Sequence, residues 1–258
     1  MPLARGCLFI HIPKCAGTSV EVALGIADEY PKIGLEPTAA APDAATLFGG
    51  GLQHLTIREI RSNFPEIMDR QSLVTFSIVR DPVDRFISHF AWKHNRFNDG
   101  DLDVESEIPA LKAEAEALLE LSRRMNIFQW PFDGGEFCPG NSQMFAPDDI
   151  SRHLLPQCSY LFDRGLIAVD AIYSFGALAA LAADLRHRGV INGTLPHRMK
   201  GRGSHALRQM VPKATEAVLQ EVYRHDTRLF ERVQTYSSAA DLEYCSGKRL
   251  QAATGTEE

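Results

Sequence analysis

An α/β fold, a P-loop-like three-layer domain with a mainly parallel central sheet flanked by helices, is predicted by three features of this 258-residue chain. Leu8-Phe9-Ile10-His11-Ile12 is a short β-prone run, followed by the loop Pro13-Lys14-Cys15-Ala16-Gly17 and a helical pattern from Thr18. Leu73–Val79 repeats the strand-to-helix order, and Leu166–Phe175 with Ala177–Arg188 repeats it again. Strands alternating with helices argue for parallel pairing, with ligands bound beyond the carboxyl ends of the strands. Lys14 and Arg80 stand at two such ends.

The remaining elements follow in chain order. Residues 31–53, rich in Pro, Ala and Gly and ending in Gly49-Gly50-Gly51, read as an extended connection. Thr56-Ile57-Arg58-Glu59 has the S/T-x-x-E form that caps a helix, which leaves His54 in the loop just before it. After Arg80, Asp81 is a capping residue and Pro82 suits a first helical turn, with Phe86 and Phe90 at helical spacing. The acidic run Asp99–Glu107 reads as solvated surface, 109–127 as helix and 130–147 as loop. Lys213–Val233 is expected to form one long amphipathic helix with Val218, Leu219, Val222, Leu229 and Phe230 on its apolar side. One domain over residues 1–245 and a disordered tail over 246–258 are expected.

Composition excludes several classes. With 45% apolar and 23% charged residues the chain belongs with globular proteins, and its net charge of −6 argues against a general nucleic-acid binder. The apolar run near the N-terminus is too short for a membrane span and has no small-residue cleavage site, so a cytoplasmic location is the expectation for a complete chain. Five scattered cysteines without a C-x-x-C pair signal neither a zinc site nor a disulfide framework. Cys138 and Cys158 are the one pairing to consider, and a reducing compartment is the simpler reading.

Pro13–Ser19 has the form of a loop that presents backbone N–H groups to an anion at a helix N-terminus. Lys14 adds a point charge, Gly17 close backbone approach, and Thr18 and Ser19 hydroxyls. In G-x-x-x-x-G-K-[ST] the lysine follows the last glycine, whereas Lys14 precedes Gly17, so the common ATP loop and its magnesium ligand are not met.

The run Phe9-Ile10-His11-Ile12-Pro13-Lys14-Cys15-Ala16-Gly17-Thr18-Ser19 resembles the 5′-phosphosulfate loop of sulfotransferases, especially the carbohydrate group that includes heparan-sulfate 2-O-sulfotransferase. Val79-Arg80-Asp81-Pro82-Val83-Asp84-Arg85-Phe86-Ile87-Ser88 resembles the same family's 3′-phosphate motif, an arginine after a strand and a serine eight residues later. Gly51-Leu52-Gln53-His54 resembles the segment that carries the catalytic base. The likeness runs over about residues 7–235, with weaker echoes at Asn141-Ser142-Gln143, Leu155-Pro156-Gln157 and Val169–Phe175. It departs at Ser174-Phe175-Gly176-Ala177-Leu178, where relatives often carry Arg-Phe-Glu-Asn-Leu.

The resemblance implies a transferase that moves the sulfuryl group of 3′-phosphoadenosine-5′-phosphosulfate (PAPS) to a hydroxyl, a sugar or polysaccharide by family likeness, leaving adenosine 3′,5′-bisphosphate (PAP) and needing no metal. It implies Lys14, Ala16, Gly17, Thr18, Ser19, Arg80 and Ser88 as donor contacts, with Lys14 and His54 catalytic. The basic segment Pro196–Gly203 resembles in position a late segment that closes over the nucleotide, which would add Lys200 and Arg202. His11 is expected to be packed or hydrogen-bonded, Arg85 to make a local ion pair or pack over its helix, and most of His89, His94, His153, His187, His197, His205 and His225 to be superficial. A helix starting at Pro82 would carry Ser88 about 9 Å along its axis, so a fold-back turn and a later helix start are expected. Two other readings are an ATP-dependent phosphotransferase with a variant loop and a non-catalytic relative that keeps the fold.

Overall fold

The computed structural model describes residues 3–25, 54–69, 73–97, 102–132, 152–196 and 203–235. Among them, four strands form one sheet in the order β1-β2-β3-β6: β1 (Leu3–Ala4), β2 (Cys7–Ile10), β3 (Val74–Val79) and β6 (Ala171–Ser174). β2, β3 and β6 are mutually parallel, and β1 lies antiparallel on the edge. The mainly parallel sheet flanked by helices is therefore the architecture present. Cys7, Leu8, Phe9 and Ile10 are all buried, as are Thr75 to Val79. Near-continuous burial along both strands is what a parallel sheet with covered faces requires.

Register is fixed chemically at the entry to β6. Asp170 Oδ2 accepts from the Thr75 amide (2.7 Å) and from Thr75 Oγ1 (2.8 Å), and the Asp170 amide donates to the Thr75 carbonyl (2.9 Å). At the other end, Ser77 Oγ donates to the Ile10 carbonyl (2.7 Å) and ties β3 to β2 just below the first loop.

Helices follow the strands. After β2 comes α1 (Gly17–Ala23); α2 (Ile57–Asn63) and the short α3 (Pro65–Met68) precede β3, and α4 (Pro82–Phe97) follows it. α2 opens with the complete capping box expected of Thr56 and Glu59. α5 (Val104–Arg124) starts inside the acidic run and contains Pro109, where the sequence pattern placed the helix start. A proline so near a helix N-terminus removes few intrahelical bonds, so it need not mark the boundary. α6 (Asn126–Gln129) and α7 (Gln157–Leu161) lead to the two-stranded β4 (Phe162–Asp163) and β5 (Leu166–Ile167). The run read as one strand, 166–175, is therefore split between β5 and β6, and a 3-10 turn at Phe175–Ala177 precedes α8 (Leu178–His187).

The terminal helix also differs from expectation. α9 (Ser204–Met210) is followed by α10 (Lys213–Val222) and α11 (Arg224–Thr235), with Tyr223 between the last two. The Tyr223 ring is buried against the Arg85 guanidinium, and its hydroxyl donates to the Leu154 carbonyl (2.8 Å). That tertiary anchor overrides a helical pattern that otherwise runs through unbroken.

No helix among the described residues is long and apolar enough to cross a membrane, and no three or more His, Cys, Asp or Glu side chains among them are placed so that they could hold a metal ion. The expected 31–53 connection, Cys138, Asn141-Ser142-Gln143 and the 246–258 tail lie outside the described residues.

Candidate active site at the carboxyl ends of the strands

The loop after β2 has an unusual backbone. Lys14 (φ 66°) and Ala16 (φ 64°) both adopt the left-handed conformation without being glycine, a cost of about 1–2 kcal/mol each. Alternation of this kind turns successive N–H groups toward one side, and such concavities bind anions. α1 begins at once after Ala16 with no side-chain cap; the Ser19 amide donates to the Ala16 carbonyl (3.0 Å), which leaves the Gly17 and Thr18 amides at the helix start as the ones a ligand can take. Lys14, Ala16 and Thr18 are half-exposed while Cys15, Gly17 and Ser19 are buried. The loop thus shows one face outward and anchors the other.

Gly17 serves a purpose beyond close approach to a ligand. A Cβ there would lie 1.8 Å from His11 Nε2, because the His11 ring packs directly on this residue. His11 sits just past β2, is buried, and bonds Glu21 Oε1 of α1 through Nδ1 (2.7 Å). The expected packed, hydrogen-bonded histidine is present, and its partner is a buried carboxylate. Gly17→Ala is expected to displace the ring and lower stability by about 2 kcal/mol, a fall of roughly 4–8 °C in melting midpoint; an unchanged midpoint would show that the loop does not need this space.

Arg80 comes from the end of β3. Its Nη1 donates to the Lys14 carbonyl (3.3 Å), and its guanidinium lies 4.6 Å from the Phe175 ring centroid at the end of β6. Its Nε is buried without a partner among the described residues. Gln157 pins the backbone beneath it: Oε1 accepts from the Arg80 amide (2.9 Å), Nε2 donates to the Arg80 carbonyl (2.8 Å), and Cys15 Sγ donates to the same Oε1 (3.5 Å). The amides of Gln157 and Cys158 in turn donate to the buried Asp226 carboxylate (2.7 and 3.0 Å). One glutamine therefore joins the first loop, the end of β3 and α11.

Burial, with Arg80 adding to it, lowers the Lys14 pKa to about 8. Burial also raises the Cys15 thiol to about 11, so it stays protonated. Lys14 Nζ lies 5.2 Å from the Trp92 ring on α4, within cation–π range.

α4 begins at Pro82, capped by Asp81 Oδ1 accepting from the Asp84 amide (2.9 Å). The expected fold-back turn and later helix start are absent. Ser88 is buried one turn before Trp92 and shares its side of the helix, so α4 runs past the loop instead of away from it. Among the described residues Ser88 forms no hydrogen bond with Arg80 or Lys14. Lys200 and Arg202 lie outside the described residues; α9 just after them is held to α4 by Arg208 Nε on Asp84 Oδ1 (2.6 Å).

His54 is 4% exposed, and its Nδ1 donates to the His11 carbonyl (3.0 Å). A proton on Nδ1 leaves Nε2 as the proton-accepting nitrogen. His54 meets the His11 ring at 4.5 Å and the His153 ring at 5.3 Å between centroids. His153 pairs Nδ1 to Nδ1 with His89 (3.2 Å) and stacks near Trp92 at 4.6 Å. Burial holds His54 and His153 well below the usual imidazole range and takes His89 to about 3. Of the seven histidines expected to be mostly superficial, His89 and His153 depart from that expectation: both are buried in this cluster.

Arg85 is not in a local ion pair. It is buried and donates to the His153 carbonyl (2.9 Å) and the Leu155 carbonyl (2.7 Å). Tyr160 and Tyr223 hydroxyls take the Arg152 and Leu154 carbonyls, so all four carbonyls of 152–155 have side-chain donors. An irregular buried segment requires that. Cys158 is a buried free thiol.

A cationic, strained first βα turn, beside a second cation from the neighbouring strand of an α/β sheet, is an arrangement that can hold phosphate-like anions. A model of the Sulfotransferase family matches residues 5–233, and the chain belongs to that family. It is thus a transferase of sulfuryl groups. No curated protein and no solved structure matches the chain.

Proposed function

We propose that the chain transfers the sulfuryl group of PAPS to an acceptor hydroxyl, with the Lys14 loop holding the 5′-phosphosulfate and Arg80 the 3′-phosphate. The observation that carries this is the contact between Arg80 and the Lys14 carbonyl, which sets two cations side by side. The Arg80 Nε, which has no partner among the described residues, and the depressed Lys14 pKa both fit an anion between the two side chains. The loop amides of Ala16, Gly17 and Thr18 supply further donors with the Thr18 and Ser19 hydroxyls, and Ser88 on α4 contributes its hydroxyl to the 3′-phosphate.

In the in-line step the acceptor oxygen forms a bond to sulfur as the bond from sulfur to the 5′-phosphate oxygen breaks. The acceptor proton passes to His54 Nε2, and the charge left on the phosphate oxygen is met by Lys14. His54 is neutral at working pH, as a base must be. Family likeness points to a sugar or polysaccharide acceptor, and Lys200 and Arg202 are proposed to close over the nucleotide.

Two measurements bear on this. Incubation with PAPS carrying labelled sulfate is expected to label hydroxyl acceptors in a panel of polysaccharides, lipids and phenols; transfer of phosphate from ATP with magnesium instead would favour a phosphotransferase. The pH profile of kcat/KM for the donor is expected to fall as pH rises through about 8, where Lys14 loses its proton in the free enzyme. It should show no acid limb near the ordinary imidazole value of about 6.5, because burial keeps His54 neutral there. An acid limb at that value would contradict the neutral, buried base.

A further inference from the structure

Behind His54 lies an ion pair with no part in the chemistry above. Arg152 is 1% exposed, and its guanidinium is bidentate on Glu59: Nη2 donates to Oε1 (2.9 Å) and Nη1 to Oε2 (3.0 Å). The same Nη1 donates to the His54 carbonyl (3.1 Å). Glu59 Oε2 also accepts from the Thr56 amide (2.8 Å), while Thr56 Oγ1 accepts from the Glu59 amide (3.1 Å). The chain from His54 to Glu59 is thereby closed on itself through Arg152.

Helix capping alone does not account for this arrangement. The Thr56–Glu59 box already satisfies the start of α2, and a buried ion pair is often no more stabilising than apolar side chains of the same size. Arg152 does supply a link between that cap and His54. His54 is consequently held at two points, its carbonyl by Arg152 and its Nδ1 by the His11 carbonyl, with His153, the residue after Arg152, at its ring edge.

We propose that Arg152 and Glu59 are positioning residues for His54: by fixing its main chain they keep the imidazole on the His11 carbonyl, with Nε2 as the nitrogen that accepts the acceptor's proton. The inference rests on the reading of His54 as the base. The bonds above tie both residues to His54 and the start of α2 and none of them reaches the donor loop, so donor binding is expected not to depend on them.

The test is made on the full chain. Two-bond nitrogen–proton spectra of the histidines are expected to show His54 as the Nδ1–H tautomer in the unaltered protein. Glu59→Gln keeps an oxygen for the Thr56 amide but loses the bidentate ion pair, and Arg152→Gln loses the guanidinium. Each is expected to lower kcat roughly 10- to 100-fold with KM for PAPS and the Kd for PAP unchanged, and to give His54 mixed tautomers. Arg152→Lys should restore part of the kcat. If Arg152→Gln fails to fold, the Glu59→Gln variant and the spectrum of the unaltered protein decide the matter. An Nε2–H tautomer in the unaltered protein, or normal kcat and an unchanged tautomer in folded Glu59→Gln, overturns the proposal. His54→Ala reports separately: near-normal kcat there removes His54 as the base, whatever its tautomer.

Discussion

Lys14→Ala is expected to lower kcat about 10²- to 10³-fold, the scale found when one group that meets developing charge is removed, while leaving the melting midpoint unchanged or slightly higher. The two halves have one cause. Lys14 is held beside Arg80 with its pKa lowered to about 8, so its charge opposes folding at neutral pH and is compensated only when an anion arrives. Between about pH 8 and the unfolded value near 10.4, the unfolded chain binds more protons at Lys14 than the native protein does. Stability contributed by this residue therefore rises with pH across that window, and the penalty is complete below it. Lys14→Ala should abolish the rise. Single-turnover kinetics and melts from pH 7 to 10 check both halves. A large loss of midpoint with little change in kcat would make Lys14 a structural residue.

Arg85→Met is expected to cost the fold about 3–5 kcal/mol, lowering the midpoint by roughly 6–20 °C, with no direct effect on donor contacts. The side chain is 1% exposed and donates to the carbonyls of His153 and Leu155. Methionine fills much of the volume but leaves both oxygens buried without these donors, at about 1–3 kcal/mol each. Arg85 also holds down the pKa of the buried Asp226, which burial otherwise raises. Its loss therefore favours a protonated Asp226 and weakens the acceptor of the Gln157 and Cys158 amides. Thermal or urea melts measure the effect; a change below about 0.5 kcal/mol, the range of ordinary surface substitutions, would show that the 152–155 segment does not depend on Arg85.

The parallel sheet was legible because its information is local. The β-prone runs at 8–12 and 73–79 and the Thr56 box each encode their element within a few residues, and the structure has an element at each place; Asp81-Pro82 likewise starts its helix, without the later start expected from the placing of Ser88. Pattern failed where a distant partner decided the outcome. Tyr223 breaks a continuous helical pattern because its hydroxyl and ring are held by Leu154 and Arg85, 69 residues away in the first case.

The candidate site divides along the same line. Lys14, Arg80, Ser88 and His54 stand in short motifs and could be picked out one by one. Gln157 joins Cys15 across 142 residues, His89 meets His153 across 64, and Arg152 meets Glu59 across 93. No local period announces such pairs. The one available signal was indirect: Leu155-Pro156-Gln157 carried a family likeness, and its glutamine proves to be the residue that clamps Arg80.

A nucleotide phosphorylated at both the 3′ and 5′ positions is the proposed occupant of the chain's anion site. The most direct test of this is a thermal titration of the full chain with PAP against ATP plus magnesium. A clear rise in midpoint is expected with PAP, a smaller one with ATP and magnesium, and loss of the PAP response in Arg80→Ala. No shift with PAP alongside a clear shift with ATP and magnesium would contradict it.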